Sequence, residues 1–286
     1  MPSLFPFPRL RRACLPEITL VLILTARAAA APGEAMLHDP PADTLSAGPS
    51  LLDEARRAGC AGWKTVTAPC RWDDADIVKA GGILAGTAAA FLLDGEIKRL
   101  AERNRTPGLD RVEDVVVRYG DTKAVIIMTG GVYLTGIVAG DRWLRETGLL
   151  MGTALIITSG GVQILKAAIG RARPYTGQGT HFFTPFTTDN DYQAFPSGHS
   201  QAAFTISSVL AARINNPWVT AGLYGLATAT ALSRIYSGNH WFSDVLFGAL
   251  AASAVGRTIV RTFEGEDATG LRLFPSPGGI SLVYQF

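Results

Sequence analysis

Three short segments of the chain carry residues whose types and spacing could do chemistry. As patterns they read K-x6-R-P over residues 166–174, P-S-G-H over 196–199 and S-R-x5-H-x3-D over 233–244. They contribute three cations, two imidazoles and one carboxylate, which are Lys166, Arg173, Arg234, His199, His240 and Asp244. Fixed cations stabilise the negative charge of a phosphoryl group during its transfer, and an imidazole can attack phosphorus. The set therefore predicts phosphoryl transfer that needs no metal ion.

The spacing within the first two segments predicts how their side chains are presented. Lys166 and Arg173 are separated by about two helical turns, so both can point the same way at the end of a helix. Ser197 is a natural helix N-cap, and Gly198 lets an anion come close to the free backbone N–H groups that begin a helix. His199 would then stand beside the bound anion.

The third segment places a histidine and a carboxylate at positions i and i+4 of one helix, His240 and Asp244. A carboxylate in that position can accept the Nδ1–H of the imidazole and leave Nε2 free to attack. Arg234 precedes the pair across a Ser-Gly-Asn break and can join the same site. The other two histidines, His38 and His181, fall in a predicted linker and a predicted loop, and we expect both at the surface.

The remaining sequence predicts an all-α fold that would hold these segments together. Hydrophobic residues make up 48% of the chain and charged residues only 17%, against roughly 25% charged in ordinary soluble domains. Apolar stretches separated by Gly, Pro and Asn breaks predict a bundle with a core of six helices over residues 73–263. The six expected helices cover 73–104, 122–139, 148–169, 197–213, 218–234 and 240–263, with a shorter helix over 110–118 and a long loop over 174–195.

Two positions relative to a membrane are compatible with this bundle. The uncharged runs 124–140 and 147–165 approach the roughly 20 apolar residues that cross a bilayer. Both runs are rich in Gly and Thr, however, and small residues allow close helix packing in lipid and in a soluble bundle alike. An integral membrane bundle and a soluble periplasmic bundle therefore both remain open.

The N-terminal region has the pattern of an export signal. Residues 1–31 combine a basic start with an apolar run and small-residue cleavage sites, as in a secretory signal peptide. Removal of these residues changes the formal net charge from +2 to about −1, which leaves no basic excess for a nucleic-acid partner. We therefore expect the chain in the cell envelope, with no nucleic acid bound.

Two further regions flank the predicted bundle. Residues 32–72 read as a linker followed by a short helix, and Cys60 and Cys70 within them could form a disulfide in an oxidising compartment. The tail, 264–286, alternates apolar and polar residues around a Pro-Gly turn, which is typical of a small β-hairpin.

Taken together, the three segments resemble the three-part signature of the type 2 phosphatidic acid phosphatase and vanadium haloperoxidase superfamily. The matching positions are Lys166, Arg173, Pro174, Pro196, Ser197, Gly198, His199, Ser233, Arg234, His240 and Asp244. The resemblance covers roughly residues 75–262. It implies a helical bundle and an exported or membrane-bound phosphatase that uses no cofactor and that vanadate, a phosphate mimic, would inhibit.

The resemblance also implies a role for each matching residue. His240 would be the nucleophile that becomes phosphohistidine, and Asp244 would orient it. His199 would protonate the leaving oxygen and then activate water. The phosphate oxygens would be held by Lys166, Arg173, Arg234, Ser197 and the backbone N–H of Gly198.

The expected substrate is a phosphate monoester or pyrophosphate, either of a lipid or of a small molecule. The site is expected on the periplasmic side, in a protein of the inner membrane or the periplasm, with the outer membrane less favoured. Aromatic residues within 182–195 would suit a lipid chain or would simply cap the bundle. A soluble acid phosphatase, a vanadium-dependent haloperoxidase and a non-catalytic phosphate-binding envelope protein are the alternatives, and the oligomeric state is open.

Overall fold

A computed structural model describes residues 50–268, 270–276 and 279–285 of the chain. These residues form eight α-helices and two strands. The helices are α1 (Leu51–Val66), α2 (Asp74–Arg103), α3 (Pro107–Val116), α4 (Thr122–Val138), α5 (Arg142–Ile169), α6 (Gly198–Ile214), α7 (Pro217–Tyr236) and α8 (Phe242–Ala268). The predicted signal peptide, the first part of the predicted linker, and His38 lie outside the described residues.

Side-chain caps set most of the helix starts. Asp73, Asp121 and Asp141 each accept a hydrogen bond from a backbone N–H of the following first turn, and so fix the starts of α2, α4 and α5. The cap at Asp141 starts α5 at Arg142, so the start predicted at residue 148 was wrong by nearly two turns. The cause is that the charged stretch 142–146 was taken for a loop, although it forms the polar first turns of the helix.

Consecutive helices from α4 to α8 run in opposite directions, and α6 is the central buried helix of the bundle. It packs against α5, α7 and α8, and most of its residues are buried, polar ones included. Gln201 and Thr205 of α6 bond to the Thr158 hydroxyl of α5 inside the bundle. The all-α bundle predicted from the sequence is therefore confirmed, with α2 and α4–α8 as its six core helices.

One end of the bundle is closed by a cluster of ion pairs. Glu54 of α1 is fully buried and accepts two hydrogen bonds from Arg145 of α5, at 2.8 and 2.9 Å. Arg213, at the end of α6, lies 3.3 Å from both Glu146 and Glu264. The start of α1, the start of α5 and the ends of α6 and α8 thus meet at this end, which we call the ion-pair end.

The segment before α2 differs from the prediction. Cys60 lies on an exposed face of α1, whereas Cys70 lies in a 3-10 turn beyond the end of that helix, and both are free thiols. The predicted disulfide is therefore not formed in this structure.

The tail forms two strands, β1 (Gly270–Ser276) and β2 (Gly279–Gln285). They pair antiparallel, with Gly270 opposite Gln285 and Ser276 opposite Gly279.

Several helices have the length and composition of membrane spans. Among the described residues, α2, α5 and the Phe242–Gly265 part of α8 are long and apolar enough to cross a bilayer. Residues 107–120 and α4 are together long and apolar enough to form one bent span, with an angle of 50° between them. Almost none of the apolar stretch of α2 is buried in the protein, so this helix presents its leucines and isoleucines outward.

Gly170 ends α5 in a conformation that other residues resist. Its φ is +62°, and a Cβ there would lie 1.7 Å from the carbonyl oxygen of Thr184. We expect Gly170→Ala to lower the thermal unfolding temperature of the purified protein markedly, because the left-handed backbone alone costs about 1–2 kcal/mol and the clash adds to it.

Gly161→Ala is the matched control on the same helix, since a Cβ at Gly161 meets open space. It should leave the unfolding temperature unchanged or raise it slightly, because Ala is the better helix former. Equal unfolding temperatures for the two variants would contradict this account of the helix end.

Candidate active site

The predicted site residues meet at the end of the bundle opposite the ion-pair end. Lys166 lies in the last turn of α5, Ser197 is the N-cap of α6, and Arg234 lies in the last turn of α7. His240 precedes α8, and Asp244 lies in its first turn. Because neighbouring helices alternate in direction, the end of one lies beside the start of another, and three segments distant in the sequence become one site.

The long loop after α5 is ordered around the segment that carries Arg173. Arg171 forms a β-bridge with Phe183 on one side, and the N–H of Ala194 donates to the Arg171 carbonyl at 2.9 Å on the other. The N–H of Arg173 donates to the carbonyl of Asp191, also at 2.9 Å. The loop is thereby folded back over the site rather than extended from it.

His240 is held by a backbone carbonyl rather than by Asp244. Its Nδ1 lies 2.7 Å from the Ala194 oxygen and 3.8 Å from the nearer oxygen of Asp244. A carbonyl can only accept a hydrogen bond, so Nδ1 carries the proton and Nε2 keeps its lone pair. The sequence predicted a free Nε2, and the structure has one. The group that accepts the Nδ1 proton is the Ala194 carbonyl, however, and not Asp244, which the i,i+4 spacing suggested.

Burial keeps the His240 ring neutral. The side chain is 3% exposed, and desolvation lowers its pKa to about 4, although the neighbouring Asp244 acts in the opposite direction. At neutral pH the imidazole is therefore uncharged and able to act as a nucleophile.

Asp244 belongs to a buried network that the sequence analysis missed. It is fully buried and accepts a hydrogen bond from Arg171 at 2.5 Å and another from the N–H of Trp241 at 2.8 Å. The other end of the Arg171 guanidinium donates to Asp94 of α2 at 2.7 Å. Ser243 bonds to both Arg171 and Asp94, which closes the network.

Two sequence signals point to this network in retrospect. Asp94 is a lone acid at the end of the apolar run 80–93, and Arg171 is a third cation between Lys166 and Arg173. Each is a buried charge in need of a partner. What the sequence did not show is that α2 packs beside α8 and brings the two together.

The three predicted phosphate-binding cations are nearly buried but only partly paired. Lys166 donates to the Gln193 carbonyl at 2.6 Å, and Arg173 donates to the carbonyl and the side chain of Asn190, both at 2.8 Å. Arg234 lies 3.5 Å from Glu113, and within the described part of the chain its buried Nε has no hydrogen-bond partner. The site thus concentrates positive charge with donors still available to an anion.

The start of α6 is shaped as the sequence predicted, with Ser197 as the N-cap. The fully buried Ser197 caps the helix through its hydroxyl, but its backbone N–H donates to the Asp244 carbonyl at 3.1 Å and is not available to a ligand. Beside Gly198 there is open space where a side chain would begin. Gly198, rather than Ser197, is therefore the residue whose backbone an anion can approach.

His199 stands at the same helix start and is half-buried. Burial lowers its pKa to about 4, and the positive charge of Arg234 adds to that effect. The imidazole is then neutral beside the cations. A bound dianion would raise this pKa again, so substrate binding and protonation of His199 favour each other.

His181 takes no part in the site. It is exposed, its Nδ1 lies 2.7 Å from the hydroxyl of Thr180, and its ring packs edge-on against Phe91 at 5.1 Å. The surface position predicted for it is therefore observed.

Comparison with known proteins gives concordant results. Residues 147–267, which contain all three signature segments, match the model of the PAP2 superfamily. A lipid A 1-phosphatase from Rhizobium etli is 31% identical over 197 residues, which cover 63% of this chain and 80% of that protein. Another from Porphyromonas gingivalis is 35% identical over 108 residues, covering 37% of this chain and only 21% of that longer protein.

The fold has a counterpart among solved structures. A transmembrane PAP2-type phosphatidylglycerolphosphate phosphatase from Bacillus subtilis superimposes with a TM-score of 0.52 and 22% identity, covering 66% of this chain and 96% of that one. With the family model over the signature segments and the similarity to most of the Rhizobium protein, the chain belongs to the PAP2 superfamily.

Proposed function

We propose that this protein is a phosphatase that removes a phosphate group from a lipid, without a metal ion, through a phosphohistidine intermediate. One observation carries the proposal. The buried His240 has Nδ1 occupied by a carbonyl and Nε2 unprotonated, at the end of the bundle where three partly paired cations converge.

In the first half of the proposed reaction, Nε2 of His240 attacks phosphorus and forms an N–P bond. The bond between phosphorus and the lipid oxygen breaks, and protonated His199 gives its proton to that oxygen, so the lipid leaves as an alcohol. In the second half, neutral His199 takes a proton from water, and the water oxygen attacks phosphorus. The N–P bond breaks, inorganic phosphate leaves, and His240 regains its lone pair.

The cations supply the electrostatic part of the proposal. Lys166, Arg173 and Arg234 surround the phosphoryl oxygens, whose charge spreads in the transition state. The guanidinium groups can each hold two oxygens, which fixes the phosphorus in line with Nε2. The backbone N–H groups at the start of α6 add donors from the positive end of that helix.

Two findings support a lipid as the substrate. The relatives from Rhizobium and Porphyromonas are lipid A 1-phosphatases, and several helices of this chain have the composition of membrane spans. In addition, an apolar groove of about 500 Å³ lies beside the site, lined by residues of α2, α5, α8 and the long loop. Its lining includes Leu84, Phe91, Leu165, Phe183, Phe195 and Phe247. We propose that this groove takes part of the hydrocarbon tail.

The sequence left open whether the aromatic residues of the loop contact a lipid chain or cap the bundle, and two of them are placed to do both. Phe183 stacks on Phe91, and Phe195 packs on Phe247, so both close the bundle and line the groove at the same time. Phe186 instead projects outward and is 87% exposed.

The test of function is a panel of substrates assayed in detergent. Lipid A, phosphatidic acid, phosphatidylglycerol phosphate and undecaprenyl pyrophosphate are compared with soluble phosphate esters. We expect hydrolysis of at least one lipid phosphate that continues in EDTA and stops with vanadate. His240→Ala should reduce it by about 10⁴-fold or more, as for loss of a nucleophile.

His181→Ala is the matched control, since it removes an exposed histidine outside the site. It should leave the hydrolysis of a soluble phosphate ester unchanged, because the ring it removes packs on Phe91 of the apolar groove, which such an ester does not fill. Strict dependence on added Mg²⁺, or a His240→Ala variant as active as the wild type, would refute the mechanism.

The role of His199 is tested by the leaving group. His199→Ala should slow hydrolysis of an alkyl phosphate by about 10²–10⁴-fold, because an alkoxide cannot leave without a proton. Hydrolysis of nitrophenyl phosphate should fall much less, because nitrophenolate is stable unprotonated. Equal losses for the two esters would contradict the assignment of His199 as general acid.

We further propose that the site faces the periplasm, in a membrane-spanning bundle whose residues 1–31 are not cleaved as a signal peptide. The chain enters the bundle at the ion-pair end through α1, and α2 then runs to the site end. In a membrane-spanning bundle, residue 50 and the site therefore lie on opposite sides. A signal peptide cleaved near Ala31 would leave residue 50 in the periplasm. In a membrane-spanning bundle the site would then face the cytoplasm. A cleaved signal peptide and a periplasmic site are compatible only if the bundle is soluble.

Cysteine labelling distinguishes these arrangements. In a variant with Cys14, Cys60 and Cys70 replaced by Ser, the exposed residues Thr188, near the site, and Ala139, near the ion-pair end, are changed singly to Cys. We expect a membrane-impermeant maleimide to label residue 188 alone from the periplasmic side. Labelling of residue 139 alone would place the site in the cytoplasm, and labelling of both would indicate a soluble periplasmic bundle.

A further inference from the structure

Helix α3 has three faces of different chemistry. One face docks on the bundle through Asp110, which accepts from the Tyr236 hydroxyl at 2.7 Å, and through Glu113, 3.5 Å from Arg234. A second face exposes charged residues, which are Arg111, Asp114 and, just beyond the helix, Arg118. A third face is apolar and equally exposed. It consists of Leu109, Val112 and Val115, which are 44%, 53% and 54% exposed.

The apolar face lies on the helix that directly follows α2, a helix with the composition of a membrane span. Leu100, near the end of α2, is also exposed, and α3 follows α2 after only three residues. Ion pairs among the last residues of α2, between Glu96 and Arg99 and between Lys98 and Glu102, indicate that this helix leaves the apolar phase there. The 50° bend after residue 120 then sets α3 at an angle to α4.

From these observations we propose that α3 lies in the surface of the lipid bilayer. Its stripe Leu109, Val112 and Val115 would enter the acyl boundary, and its charged face would remain in water. A helix with one apolar and one strongly charged side lies in the interface rather than across it. The charges at Arg111 and Asp114 make a fully lipid-buried position costly.

This position would set the depth of the active site. Glu113 of α3 contacts Arg234, and Gly120, just after α3, packs so closely under His199 that a Cβ there would lie 2.4 Å from the His199 carbonyl oxygen. A helix fixed in the interface would thus hold two site residues at the level of lipid headgroups. The placement of α3 rests on the membrane location of the chain, and only its consequence for the substrate rests on the proposed function.

The test is the depth of nitroxide labels in proteoliposomes. In the full chain with Cys14, Cys60 and Cys70 replaced by Ser, Val112→Cys and Asp114→Cys are labelled singly. The two residues are neighbours on α3 but belong to its apolar and charged faces. Collision with oxygen, which concentrates in the bilayer, is compared with collision with a water-soluble nickel chelate.

We expect the label at residue 112 to collide mainly with oxygen and the label at 114 mainly with the nickel chelate. Two labels that both favour nickel would show that α3 lies in water, and two that both favour oxygen would show that it is part of a broken span. Either result would overturn the proposal. Because no hydrolysis is measured, a failure here is distinct from a failure of the proposed phosphatase activity.

Discussion

The guanidinium of Arg171, buried between Asp94 and Asp244, is the interaction on which the rest of the site depends. It is 1% exposed, and its charge is balanced by two carboxylates that are themselves buried. Removing one partner from such a cluster leaves an uncompensated buried charge, which costs about 3–5 kcal/mol. The network therefore ties α2 to α8 and the long loop to both. It also holds Asp244 in place beside His240 without requiring a direct hydrogen bond between them.

The same interaction explains how a long loop can carry a precise site. The guanidinium lies 4.2 Å over the ring of Phe91 and 5.4 Å from that of Trp241, so it is packed as well as paired. Backbone hydrogen bonds extend from it towards the site. The carbonyl of Arg171 accepts from the N–H of Ala194, and the carbonyl of Ala194 accepts from Nδ1 of His240. A chain of contacts thus runs from a buried ion pair to the protonation state of the proposed nucleophile.

The sequence predicted which residues lie in the site, but it did not predict which hydrogen bonds they make there. All eight predicted site residues lie at one end of the bundle, because motif residues at helix ends meet when neighbouring helices alternate in direction. The partner of His240 was not predictable, since helical spacing suggests Asp244 whereas the carbonyl of Ala194 is closer through tertiary folding. Asp94 was missed for the same reason, because no local pattern shows which helix packs beside α8. Local rules also failed at 142–146, where charges that pair at the ion-pair end were taken for a loop.

The central claim is that His240 itself receives the phosphoryl group, and rapid acid-free quenching of the enzyme with a ³²P-labelled lipid phosphate tests it most directly. The account predicts a labelled protein within the first turnover, stable in alkali and labile in acid as phosphoramidates are, with the label on the peptide that contains His240. The label should be absent in His240→Ala and should persist longer in His199→Ala, which lacks the base for the second step. Turnover by the wild type without any labelled protein, or a label on another residue, would contradict the account.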